Sequence, residues 1–175
     1  LLPSHSLLAS AVITYLGSFP EDARQSILVE WKSICELKNF NFMGFMASES
    51  EFLQWKSQGL PSDTLSMQNG LMILNSSQTP LIIDPNQQAA EWLVNNLAES
   101  NLDVVMQQAG NFVTQLELAV RFGKTLVVKE VEGIHPMLYP IIRKDLIRQG
   151  PRWIVQVGEK PVDYNENFHL FLITR

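Results

Sequence analysis

The chain has 175 residues, of which 46% are apolar, 18% charged and 9% aromatic, with a formal net charge of −5. At this length a fold buries roughly 70% of the surface of its extended chain, so a core forms without disulfides or a structural metal. With 13 Lys and Arg against 18 Asp and Glu and no basic run, the composition argues against a nucleic-acid or anionic-membrane surface.

One domain is expected. The single cysteine, Cys35, cannot form an internal disulfide and is expected on the apolar side of a helix, packed rather than reactive. The apolar stretch over residues 7–16 is interrupted by Ser10 and Thr14, too short for a membrane span and without the basic flank of a signal peptide. The chain begins without Met and stops after the apolar run His169–Thr174, which reads as a piece of a longer polypeptide.

In chain order, apolar residues recur at Ala23, Ile27, Trp31, Ile34 and Cys35, and this spacing predicts a helix over 20–38 with Pro20 in its first turn. Ser48-Glu-Ser-Glu51 is a capping-box pattern that predicts a second helix ending near Gly59. Asn69-Gly70 reads as a turn before a strand-like run at 71–74. After Pro80, short apolar runs alternate with helical patterns. Strands are expected at Leu81–Ile83, Leu102–Met106 and 126–128. The helices between them are expected at 85–99, with Ala89, Trp92, Leu93 and Leu97 inward, and along Phe112, Leu116, Ala119 and Val120 to Gly123. Residues 137–147 read as helical, 153–157 and 162–164 as a hairpin around Gly158, and His169–Thr174 as the last strand. Helical crossovers join parallel strands, and continuous apolar strands are covered on both faces, so the fold class is a three-layer α/β parallel sheet with flanking helices and N-terminal helices.

In such a sheet, ligands bind beyond the carboxyl ends of the strands. After Leu81–Ile83 the sequence runs Asp84, Pro85, Asn86, Gln87, Gln88, Ala89, Ala90, Glu91. A phosphate-cradling loop needs glycines, a lysine and a metal-binding hydroxyl there, and none is present. Asp84 is expected instead as a helix N-cap, with Pro85 at the first helical position and Gln87 as its capping-box partner. A phosphate oxygen about 4 Å from that carboxylate would be repelled by roughly 4 kcal/mol at an effective dielectric near 20, about three powers of ten in affinity. Gly123-Lys-Thr125 leads into a strand rather than out of one, with Leu118 where the first glycine of a P-loop belongs, so it reads as a helix end.

At the end of the 126–128 strand, Lys129 stands where a metal-binding acid would be and is followed by Glu130 and, two residues on, Glu132. His5, His135 and His169 sit in unrelated elements without metal-ligand spacing, and no metal site is expected. No Gly-x-Ser-x-Gly turn exists to expose a nucleophilic serine, and His135-Pro136 reads as a helix start.

The segments Leu60-Pro-Ser-Asp-Thr-Leu-Ser-Met-Gln-Asn-Gly70 and Pro80-Leu-Ile-Ile-Asp-Pro-Asn-Gln-Gln-Ala-Ala-Glu-Trp92, with Leu-Glu-Leu-Ala-Val-Arg-Phe-Gly at 116–123, His-Pro-Met-Leu-Tyr-Pro at 135–140 and Phe-His-Leu-Phe-Leu-Ile-Thr at 168–174, resemble the dynein heavy chains. The likeness is to the fifth AAA+ module of the motor ring and reaches the helices at 8–17 and Trp31. It looks most like the second cytoplasmic class, the retrograde intraflagellar motor.

The resemblance implies a single P-loop-type AAA+ large subdomain, with helices leading in over 1–79 and the α/β core at 80–175. It implies a non-hydrolysing ring member in which residues 84–91 replace the Walker A loop and Lys129 and Glu130 occupy the Walker B position. The run before the Pro, Lys129-Glu-Val-Glu-Gly-Ile-His135, departs from the acidic or amide run usual in this module. The implied partners are neighbouring AAA+ modules, the motor linker and, through the parent motor, a microtubule, with no nucleic acid and no membrane insertion. No cofactor is implied in this module, ATP and Mg belonging to others of the parent chain. The implied location is cytoplasm, cytoskeleton and cilium or axoneme. Two rival readings are a nucleotide-sensing or weakly active module using Glu130, and a free-standing binding domain.

Overall fold

A computed structural model describes residues 3–175. The chain divides into two compact units that meet in sequence between Gln78 and Thr79.

The first unit is helical: α1 Pro3–Tyr15, α2 Glu21–Ile34, α3 Phe42–Met46, α4 Glu49–Ser57 and α5 Thr64–Asn75. Pro20 is the N-cap of α2 rather than a residue of its first turn, and α2 stops at Ile34 because Glu36 turns the chain with φ +58°. The buried face of α2 is carried by Arg24 and Leu28, while Ile34 is 76% exposed and Cys35 is half-buried at the C-cap. The capping box of α4 forms as expected: Glu51 N–H donates to Ser48 Oγ, and Ser48 N–H donates to the Glu51 carboxylate.

The expected turn at Asn69-Gly70 and strand at 71–74 are instead the middle and end of α5. Asp63 caps this helix by accepting Ser66 N–H at 2.8 Å, and Met67, Leu71 and Met72 bury one stripe at helical spacing. A tight Asn-Gly turn stabilises a hairpin only where two strands can pair across it. Here Asn69 serves from the helix, its Oδ1 accepting Arg24 Nη1–H at 2.7 Å.

The second unit holds a four-stranded parallel sheet in the order β1 Leu81–Ile83, β7 His169–Thr174, β3 Thr125–Lys129 and β2 Leu102–Met106. Two helices connect its strands, α6 Gln88–Asn96 and α7 Phe112–Phe122. The register pairs Val105 with Val128 and Val128 with Leu172, so Val105, Leu126, Val128, Leu170 and Leu172 share one sheet face. They form one core with Phe112, Leu116, Ala119 and Val120 of α7. Gly123 closes α7 in the left-handed conformation the sequence predicts, φ +67°.

The expected helix at 137–147 is a 3-10 turn, Pro136–Leu138, a four-residue helix α8 Tyr139–Ile142 and then a strand, β4 Ile147–Gln149. Lys144 breaks the helix with φ +54°. Ile147 pairs with Ile154 instead, joining β5 Arg152–Val157 and β6 Lys160–Asp163 in a separate antiparallel sheet. The Gly158 hairpin lies between β5 and β6, as expected, with Val157 opposite Lys160. Val155, Val157 and Val162 pack this small sheet into the same core.

Candidate functional site

The order β1-β7-β3-β2 sets the carboxyl ends of four parallel strands side by side. Ile83 pairs with Thr174 and Val128 with Leu172, so β7 separates the tips of β1 and β3 by two strand spacings, roughly 10 Å.

At the β1 tip, Asp84 N–H donates to Thr174 O at 2.8 Å, extending the ladder by one residue. The chain then turns through Pro85 and Asn86 to Gln87, whose left-handed backbone (φ +61°) is the N-cap of α6. The helix therefore starts at Gln88 rather than Pro85, ends at Asn96 rather than Glu99, and buries Ala90, Trp92 and Leu93. Asp84 is not the N-cap by position, and Gln87 forms no capping-box contact. Its carboxylate nevertheless reaches the helix: Asp84 Oδ2 accepts Ala90 N–H at 2.8 Å, and the residue is only 6% exposed. A buried carboxylate thus sits against the first turn of α6, the place where backbone amides and the helix dipole otherwise favour an anion. Of the remaining residues here, Pro85, Asn86, Gln87, Gln88 and Glu91 are exposed and Ala89 is half-buried.

At the β3 tip, Lys129 is half-buried, and Glu130 adopts a left-handed backbone, φ +57°. This turn returns Val131 to the sheet, where its N–H donates to Ile173 O at 3.0 Å and its side chain is buried. The Glu130 side chain is exposed and accepts Arg175 Nη2–H at 3.2 Å. Two glutamines at the β2 tip fasten the following loop. Gln107 Nε2 donates to Gly133 O at 2.8 Å, its Oε1 accepts His135 N–H at 3.4 Å, and Gln108 Nε2 donates to Glu130 O at 3.2 Å. Gln107, Gln108, Thr174 and Arg175 carried no sequence signal, because each acts through a residue distant in the chain. His135 caps the 3-10 turn through Nδ1, which accepts Met137 N–H at 3.3 Å.

Gly123-Lys-Thr125 lies at the opposite, amino end of β3, where Lys124 Nζ pairs with Asp103 Oδ2 at 2.7 Å. Among the described residues no group of three or more His, Cys, Asp or Glu side chains could hold a metal. No described helix is long and apolar enough to cross a membrane.

Comparison with known families matches residues 53–175 to the family described as "ATP-binding dynein motor region". The chain belongs to this dynein motor family. Across 174 residues it is 53% identical to cytoplasmic dynein 2 heavy chain 1 of Mus musculus, with 99% of this chain covered. The protein of the same name from Chlamydomonas reinhardtii is 53% identical over 177 residues and 99% of the chain. The cytoplasmic dynein heavy chain of Dictyostelium discoideum is 33% identical over 175 residues and 97% of the chain. The dynein-region chain spans 4% of the length of each of these relatives. Its parallel sheet with flanking helices is consistent with the AAA+ large-subdomain fold.

Proposed function

We propose that this chain is the fifth AAA+ module of a dynein motor ring and serves there as a non-catalytic mechanical relay rather than as a site of ATP hydrolysis. In this reading residues 84–91 and Lys129-Glu130 are a degenerate nucleotide site. The observation that carries it is the hydrogen bond from Ala90 N–H to the buried Asp84 carboxylate. That carboxylate takes the helix end a phosphate would need and repels any phosphate brought near it. No glycine or lysine lies in 84–91 to cradle or neutralise phosphates. Lys129 places a cation where a metal-binding acid would stand, and Glu130 is already paired with Arg175. The family description names ATP binding, which on this reading belongs to other modules of the parent chain.

The neighbouring AAA+ modules and the motor linker are the proposed mechanical partners, with microtubule contact made elsewhere in the parent motor. The relatives named cytoplasmic dynein 2 support a cytoskeletal motor of the cilium and intraflagellar transport.

A thermal-melt titration with Mg-ATP and Mg-ADP tests the relay. A ligand at a hundred times its Kd adds about 2.7 kcal/mol and raises the midpoint by several degrees. The relay predicts no shift with either nucleotide. A clear shift would establish instead a nucleotide-sensing module, with the exposed Glu130 its first candidate acid.

A further inference from the structure

Within the first unit, the amino ends of α2 and α5 border an open cleft of about 530 Å³. Glu21, Asp22 and Arg24 line it from α2, and Thr64 and Gln68 from α5. This is the volume range of sites that hold ligands.

Two buried polar side chains line the cleft. Gln68 is 8% exposed, and its carboxamide makes no hydrogen bond within the described residues. Arg24 is 9% exposed, and its guanidinium donates to Phe19 O, Asn69 Oδ1 and Gly17 O, all neutral. No carboxylate lies within ion-pair distance of Arg24 among the described residues, so this buried cation has acceptors but no counterion. Three neutral acceptors hold the guanidinium in place, while the Glu21 carboxylate acts on its charge from beyond ion-pair distance. Burial lowers the Arg24 pKa from its usual value, and the field of Glu21 opposes that shift. Buried polar groups are normally partnered and buried charges normally paired. The first turn of α2 also lacks a side-chain cap, since Pro20 has none to offer. The inner part of the cleft is therefore rich in donors, while Glu21 and Asp22 make its exposed rim acidic.

From this juxtaposition we propose that the cleft between α2 and α5 is a docking site for a partner polypeptide that inserts an Asp or Glu carboxylate toward Arg24 and Gln68, with an adjoining Lys or Arg against Glu21 and Asp22. A simple anion satisfies the interior but meets the acidic rim, and a simple cation does the reverse. A segment carrying both charges side by side satisfies both layers. The cleft is built by residues of the first unit alone and does not depend on the strand-tip reading.

The test follows the side-chain amide NMR signals of Gln68 in the 175-residue chain during titration with acetyl-Ala-Lys-Glu-Ala-amide and with its Lys-Gln counterpart. The Lys-Glu peptide is expected to give saturable shifts, with about tenfold weaker binding of the Lys-Gln peptide, which keeps the cation but lacks the carboxylate. Gln68→Met, which keeps the volume of the side chain, is expected to abolish saturable shifts in the backbone amides of Glu21 and Asp22. Equal responses to both peptides, or shifts at those amides that survive Gln68→Met, would overturn the proposal. An equal response to sodium acetate would also overturn it, in favour of a small carboxylate. Concentration-dependent shifts without peptide would replace the partner with a second copy of the chain.

Discussion

Asp84 leaves β1 with its N–H on Thr174 and its carboxylate on Ala90, so one residue joins the sheet edge to the first turn of α6. Asp84→Ala should cost about 1 kcal/mol in urea unfolding, because Ala90 N–H loses its acceptor, while Asp84→Asn keeps a side-chain oxygen and should cost less. Unchanged stability in Asp84→Ala would remove the capping role. The identities of Asp84, Lys129 and Glu130 are visible in sequence, but their partners are not. Arg175 reaches Glu130 across 45 positions, and Asp84 reaches Ala90 around a left-handed residue rather than by the capping spacing the sequence suggests. Arg24 is a similar case: it falls inside the predicted helix at 20–38, but only the fold buries it where three neutral acceptors from the α1–α2 connection and α5 converge.

Element boundaries were legible at Ser48 and Gly123, where a local cap sets them, whereas the equally local cap of α5 at Asp63 was not read. Hydrogen bonds from Ser48, its backbone N–H first and its hydroxyl second, hold the Glu51 carboxyl below its ordinary range. Ser66, through its hydroxyl and then its N–H, does the same for Asp63. Both folded-state pKa values are depressed, so the stability they contribute is complete above the unfolded values and is lost as pH falls through the folded ones. For Asp63 the loss should therefore begin as pH drops below its ordinary value of 3.8. Asp63→Asn, also a good cap, should flatten that part of an acid-unfolding curve, whereas an unaltered curve would deny the cap its role. At the end of α7, a Cβ on Gly123 would lie 2.5 Å from Asn165 Oδ1 and would sit at φ +67°. Gly123→Ala should destabilise by more than about 1 kcal/mol in the same unfolding assay, through both strain and contact. Local signals failed at Asn69-Gly70 and at residues 137–147. In the first case α5 packing and the Arg24 contact favour helix, and in the second Ile147 gains a strand partner in Ile154.

For the whole molecule, the relay reading separates two kinds of variant. Leu116 is fully buried in the core shared by α7, the parallel sheet and the antiparallel sheet. Leu116→Ala should cost about 2–5 kcal/mol in stability and, introduced into the parent heavy chain, should impair its ATP-driven motility. Glu130→Gln, which alters the exposed β3 tip alone, should leave the ATPase rate of that parent chain unchanged. A large fall in that rate would make Glu130 a working acid and retire the relay.

The α/β class, the parallel pairing implied by helical crossovers, the caps at Ser48 and Gly123 and the residues at the strand tips are all legible in the amino-acid order. These follow from periodicity and local hydrogen bonding, which act within a few positions. Tertiary structure decided that β7 lies between β1 and β3, that residues 147–163 form a second sheet, and that Arg24 and Gln68 meet in one cleft. Each of those outcomes depends on contacts between residues far apart in the chain. Which surfaces compete best for burial and hydrogen bonds is settled only when all of them are folded together.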